Sequence, residues 1–455
     1  MRRLGITLAV SVLCLRALAA EQAPQSGWKA GVSRAKITPQ TPLWLAGYGG
    51  RTHPAEGTLH DLWVKAMWLE DAQGKSVLLV TTDLCGIPKW MYDKLCDEFS
   101  QKYAVDRSQI RLTYSHNHCA PALRGELEDY YPMDEQQRNA VGVYSDWLER
   151  EISLAVAEAK AKMQPAVLEA FEGQCTFAVN RRNNREAEVP DILAKGQAPK
   201  GPVDHRVPVL RVSSPEGKPI AIMFAYACHN TTLDSYQWCG DYAGFAQLEL
   251  ERDYPGATAM FVMGCGGDQN PLPRRTIALC ESYGKQLAIA VRESFQKPGR
   301  SLGPAIRSAF ESVPLTFEKN PTRDELKEAL NSPNAIRARW AKRMLQQMDQ
   351  QIPFAISQPY AVQVWRLGDQ LWIALGGEAL VDYSLRFQSE YGATTWVTSY
   401  CADLTAYIPS RKNWDERGYE VDFLFEYMLP ADRWSSDVED RIAAAVQRLV
   451  AEVRR

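Results

Sequence analysis

Histidine is scarce in this chain, with 6 among 455 residues, so chemistry that relies on imidazole has few places to happen. A basic excess is missing too: 52 lysines and arginines face 55 aspartates and glutamates, which argues against a nucleic-acid partner. Beyond residue 20 no apolar run is long enough to cross a bilayer as a helix. No CxxC pair occurs, and the ten cysteines follow no disulfide-framework spacing. Internal repeats, low-complexity tracts and Pro/Ser-rich linkers are also lacking. What is present is the composition of a soluble globular protein with a sizeable core, 45% hydrophobic and 24% charged.

The first twenty residues stand apart. Arg2 and Arg3 precede the apolar run Leu4 to Leu15, and Ala17-Leu18-Ala19 supplies small residues before Glu21. This is the pattern of a cleaved secretory signal peptide, residues 1–20, and it predicts a secreted or periplasmic protein. Its removal takes three arginines and no acid, making the remainder more acidic. Nine cysteines then remain, an odd number, and are expected to serve as small buried hydrophobes.

Short apolar runs recur, each ending in polar or turn residues. Val77 to Thr82 ends at Asp83, Ile110 to Tyr114 at Ser115-His116, and Ile220 to Tyr226 just before His229. Ala259 to Met263 ends at Gly264-Cys265-Gly266-Gly267-Asp268, Leu371 to Leu375 at Gly376-Gly377-Glu378, and Thr394 to Tyr400 leads to Asp403 and Tyr407. These read as buried strands bounded by turns. Helical periodicity separates them over Pro88 to Tyr103, Gln137 to Met163, Asp241 to Glu251 and Thr276 to Phe295. Thr322 with Glu325 and Ser436 with Glu439 read as capping boxes, and Pro333 as a break between two helices. The expectation is an α/β protein, one large domain over residues 21–455, with central mixed sheets flanked by helices. The Pro- and Gly-rich stretch Arg182 to Arg206 reads as a long surface loop of the kind that covers sites.

In α/β architectures ligands gather beyond strand ends, and this chain sets His, Asp and Glu there. His116 and His118 stand at i and i+2, a spacing that points two side chains to one face of an extended chain. His229 and Glu378 follow other strands. Two histidines from separate elements and a carboxylate form a common catalytic metal shell, and a His/His/Glu set suits several divalent metals.

The segments AGVSRAKITP, LAGYG, LWVKAMWLED, SHNHCAP, Asn180-Arg181, VDHRVPVLRV, PIAIMFAYACHNTTL, GDYAGFAQLELE, GCGGDQNP, GGE and AYIPS…GYE follow one another in order between Ala30 and Glu420. In that ordered set the chain resembles the catalytic domain of the neutral (non-lysosomal) ceramidases, zinc amidases that cleave N-acyl sphingosine. The resemblance implies His116, His229, Glu378 and Tyr407 as Zn²⁺ ligands and His118 as a neighbouring non-ligand histidine. It further implies that Arg181 and Tyr419 contact the reacting group and that Asp241 supports the site or caps a helix. An exported zinc-dependent hydrolase of an N-acyl bond follows, with a zinc-activated water as nucleophile, Arg181 and Tyr419 stabilising the oxyanion, and His118 moving the proton.

Two departures matter. The family serine of a Gly-Asp-x-Ser-Pro segment is replaced by Asn270, which cannot be a nucleophile but can orient a carbonyl through its amide. The sequence reaches Arg455 soon after the matched region, and the immunoglobulin-like C-terminal domain of the ceramidases is expected to be absent. The substrate, small-molecule or lipid-like, therefore stays open. A metal-dependent reaction on an ester, a lactone or a sugar-like compound is one alternative, with Trp238, Tyr242 and Trp414 as candidate pocket aromatics whose other reading is ordinary packing. A non-catalytic pseudoenzyme is another.

Overall fold

The computed structural model describes residues 27–455; the expected signal segment lies outside the described residues. The apolar runs become neighbours in a 13-stranded sheet. Its path runs through Thr258–Met263, Pro219–Tyr226, Arg206–Ser213, Gln164–Gln174, Trp28–Lys36, Trp63–Glu70, Ser76–Thr82, Ile110–Tyr114, Trp396–Cys401, Gln370–Gly376, Ser357–Leu367 and Ile306–Thr316. The short strand Arg300–Ser301 pairs beside Gln164–Gln174. Thr258–Met263 runs parallel to Pro219–Tyr226, Ser76–Thr82 to Ile110–Tyr114, and Gln370–Gly376 to Trp396–Cys401, while the other pairs are antiparallel. The sheet is mixed and flanked by helices, as the periodicity predicts.

Side-chain alternation decides which face each residue buries. In Ser76–Thr82, Leu78 and Val80 join the core under the helices, whereas Val77 and Leu79 share a second core with Met223, Met260 and Val262. Strands far apart along the sheet path therefore lie face to face. A bridge between Gly264 and Thr398 ties the end of Thr258–Met263 to Trp396–Cys401. This closure draws several strand ends, and the loops that follow them, into one region.

The helices differ in detail from their sequence patterns. Glu135–Ala161 starts two residues early, because Asp134 and Gln137 form a capping box. The box at Thr322 and Glu325 forms, and Pro333 separates Arg323–Ala329 from Ala335–Asp349. The box at Ser436 does not form: the last helix, Val438–Arg454, begins after Asp437 without a side-chain cap. Glu439 is spent instead on the Arg386 guanidinium and the Arg411 backbone N–H. That helix holds through its apolar stripe, Ile442, Val446, Leu449 and Val453, each contributing about 1.5–3 kcal/mol on burial. The stretch after Arg182 is not a bare loop, since it carries the short helix Val189–Ala194. All nine cysteines of the described residues are buried and unpaired, and among the described residues no helix is long and apolar enough to cross a membrane.

Candidate metal centre

Three donor atoms from three separate segments meet in the interior. His116 Nε2 and His229 Nε2 each lie 3.1 Å from Glu378 Oε2, and the three lie within 4.8 Å of one another. Tyr407 Oη is 3.3 Å from His229 Nε2, and His118 Nε2 is 3.2 Å from His116 Nε2. All five residues are buried. His118, expected beside the cluster, thus stands as near to it as Tyr407 does.

Local chain geometry explains the convergence. His116 takes a left-handed backbone, φ 56°, which costs a non-glycine residue about 1–3 kcal/mol and turns the chain sharply after its strand. Glu378 and Tyr407 sit opposite each other in the short parallel pair Glu378–Ala379 and Tyr407–Ile408. At Gly267 an added Cβ would lie 2.6 Å from the Glu378 carbonyl oxygen, so only glycine lets the turn after Thr258–Met263 pass behind the carboxylate.

Hydrogen bonds set the tautomers. His116 Nδ1 faces the Cys85 carbonyl at 2.6 Å, and His229 Nδ1 faces the Gly266 carbonyl at 2.6 Å. A carbonyl can only accept, so both Nδ1 atoms carry the proton and both Nε2 atoms present lone pairs toward the carboxylate. Burial opposes relief by protonation. It pulls His229 down to about 4 against the contrary pull of Glu378, and burial, then His116 and His229, hold His118 well below its ordinary value. For Glu378 burial acts upward, but His116 and His229 outweigh it and keep the carboxyl well below the carboxylate range. Burial likewise pushes the Tyr407 phenol up against the pull of Arg181.

Lone pairs of two imidazoles converging on an ionised carboxylate fit a divalent cation. The 3.1–3.3 Å spacings match the ~3.3 Å donor separation of a tetrahedral site with bonds of ~2.0 Å. His116, His229, Glu378 and Tyr407 would hold the ion, and the backbone carbonyls on each Nδ1 are the usual outer support.

Around this centre Arg181 donates from Nε to Glu420 Oε1 at 2.8 Å and from Nη2 to the Gly267 carbonyl at 2.7 Å. Its guanidinium lies 5.3 Å from the Tyr407 ring centre and 5.4 Å from that of Tyr419. Tyr419 is 43% exposed, which makes it the outermost of the candidates. Asn270 lies on the strand Gln269–Pro271, paired with Ala178–Asn180 just before Arg181. It makes no bond to the donor cluster but shares with Arg181 and Tyr419 the wall of a cavity of about 860 Å³.

The other candidate residues take structural places. Asp241 does not cap its helix: its carboxylate accepts from the backbone N–H groups of Thr232, Leu233 and Tyr242, clamping the loop after His229. Trp238 and Tyr242 pack in the core, and Trp414 donates to the Trp434 carbonyl, so none of the three lines the cavity. Sequence reasoning missed Tyr427, whose hydroxyl donates to Glu378 Oε1. It also missed Glu426, which accepts from Tyr130 at 2.6 Å and Tyr419 at 3.4 Å. Asp268, raised to about 6 by burial, accepts from Asn180, Gln269 and the Val381 N–H. Only the Gly-Asp of its motif hinted at this last role.

Neither a protein-family model nor a curated protein matches the chain. Solved structures do. The neutral ceramidase from Pseudomonas aeruginosa superposes with a TM-score of 0.69 at 17% identity, over 94% of this chain and 74% of that one. A ceramidase complexed with C2 gives 0.68 at 17% identity, over 93% and 76%. The chain has the fold of the neutral ceramidases.

Proposed function

We propose that this protein is an exported zinc-dependent hydrolase that cleaves the amide bond of an N-acyl compound, small-molecule or lipid-like. The observation that carries this reading is the convergence of His116 Nε2, His229 Nε2 and Glu378 Oε2, with both histidine Nδ1 protons committed to backbone carbonyls. The shared fold with neutral ceramidases agrees with it. A divalent cation, when bound, supplies Lewis-acid polarisation of a carbonyl and activation of water. The chain's own residues do the rest. Arg181, held by Glu420 and Gly267, keeps its charge beside Tyr407 and Tyr419, where it and the Tyr419 hydroxyl bind the oxygen that gains negative charge.

His118 carries the proton. Its Nε2 lies 3.2 Å from His116 Nε2 while its Nδ1 has no hydrogen-bond partner among the described residues, so the ring keeps one nitrogen free to take a proton and release it to the leaving amine. Its ring is fixed by the edge of Tyr48, 4.5 Å between centres, and by Gly47, where a Cβ would come within 2.3 Å of the imidazole. Asn270 orients the carbonyl and needs no nucleophilic role, because water attacks.

Elemental analysis of the purified protein should find stoichiometric zinc, and an N-acyl amide screen should find turnover. His229→Ala should lose the metal and lower activity by on the order of 10³-fold or more. A His229→Ala protein with full zinc content and undiminished activity overturns the assignment.

A further inference from the structure

The cavity beside the centre is unusual for a lipid enzyme. Of the fourteen residues that line its roughly 860 Å³, five are arginines, three glutamates and three asparagines, and the apolar wall is Leu272 and Tyr419. An alkyl chain gains free energy only where it leaves water for apolar surface; here it would strip water from charged groups and return little.

The five arginines exceed the three glutamates of the wall, but Glu416 and Asp422 outside it meet Arg182 and Arg417, and Glu188 meets Arg185. Arg181 and Arg182 share Glu420 at 2.8 and 2.7 Å, and Arg274 holds Glu186 through two bonds of 2.9 and 2.6 Å. No surplus cation cluster calls for an anion. What remains is a dense set of donors and acceptors. Asn270 adds an independent pointer: it is only 4% exposed, its Oδ1 has no partner among the described residues, and its amide lines this cavity. A buried amide of that kind awaits a hydrogen-bonding ligand. The half-exposed Tyr419 ring offers one flat apolar face beside it.

We propose, resting on the hydrolase reading above, that the substrate is a short-chain N-acyl derivative of a neutral, hydroxylated amine, sugar-like in its hydrogen bonding, and that the rim around Arg185, Glu188 and Asn270 selects it over a two-tailed lipid. The reaction is a hydrolysis: the carbonyl carbon–nitrogen bond breaks, water supplies the new carbon–oxygen bond, and its proton leaves on the amine.

The test crosses acyl length with amine polarity on the zinc-loaded full chain, using N-acetylglucosamine, N-octanoylglucosamine, N-acetylsphingosine and N-palmitoylsphingosine, the last two in detergent micelles. The expected kcat/KM for N-acetylglucosamine exceeds that of both sphingosine amides by at least about tenfold. Equal or better turnover of either sphingosine amide overturns the substrate class while leaving the hydrolase standing. If no probe is cleaved, the hydrolase reading falls, and calorimetry with glucosamine and sphingosine then decides the cavity: glucosamine binding supports it, and binding of sphingosine alone, or of neither, overturns it. Arg185 and Glu188 are both exposed, so Arg185→Leu with Glu188→Leu should fold, and should shift the sugar-to-lipid ratio toward lipid by about tenfold. An unchanged ratio refutes the rim's role.

Discussion

Two buried ionisable clusters lie within a few residues of each other along one strand and its exit loop, and they solve opposite problems. Arg111, on Ile110–Tyr114, is fully buried between Trp365 and Trp372, its guanidinium carbon 3.9 and 4.4 Å from their ring centres. Its Nε donates to Gln363 Oε1 at 2.7 Å. Burial pulls its pKa down, and since both Nη atoms lack hydrogen-bond partners among the described residues, the negative faces of the indoles are the complement that its charge has. The space beside it is only about 10 Å³. This cluster brings its own cation and leaves no room for another. His116 and its partners do the reverse, bringing lone pairs and a carboxylate to one point. A buried charge is structural when its complement is built in, and a candidate site when the complement must come from outside.

The comparison can be broken in order of effect. Glu378→Gln removes the only carboxylate among the three converging donors, and should lower activity by on the order of 10³-fold with loss of metal, read by elemental analysis beside hydrolysis rates. Tyr427→Phe frees Glu378 Oε1 of its hydrogen bond; loss of such outer support should weaken metal affinity or activity by about 10–100-fold, measured by chelator competition. Arg111→Ala should leave metal content unchanged while opening a cavity between the two indoles, destabilising the protein by about 3–5 kcal/mol in denaturant unfolding. If Arg111→Ala lost the metal instead, the two clusters would not be separate devices.

The smallest effect sharpens the contrast through pH. Glu126 is buried, and burial raises it to about 8 from 4.5 against the contrary pull of the Cys85 thiol, with Glu378 adding to the rise. A carboxyl raised in the folded state favours folding fully below the unfolded value and loses that contribution as pH climbs through the folded one. Stability should therefore decline between about pH 4.5 and 8 on account of this group. Glu126→Gln should melt a few degrees higher than the parent at pH 8, with the difference vanishing near pH 4. A constant difference across that range would mean the effect is packing and not ionisation.

Much of the fold was legible because its signals are local. The strand runs around Val80, Leu112 and Phe224 announce themselves by apolar and β-branched composition, and the Thr322 box reports its own helix start. The Ser436 box misled because Arg386 and Arg411, distant in sequence, compete for Glu439. His116, His229 and Glu378 were legible as candidates because each follows an apolar run. Tyr427 and Glu426 were not, since FLFEY reads locally as core, and only the approach of its loop to Glu378 gives the hydroxyl a partner.

The sequence by itself determined which elements form and which donor types end them, because periodicity, turn chemistry and side-chain identity act over a few residues. The tertiary structure alone decided that His116 and Glu378, more than half the chain apart, face one another with their Nδ1 and Oε1 atoms already engaged. It also decided that the adjoining cavity is walled by paired charges. Both depend on closure of the sheet and on loops meeting across it, and such long-range contacts leave no mark on local sequence.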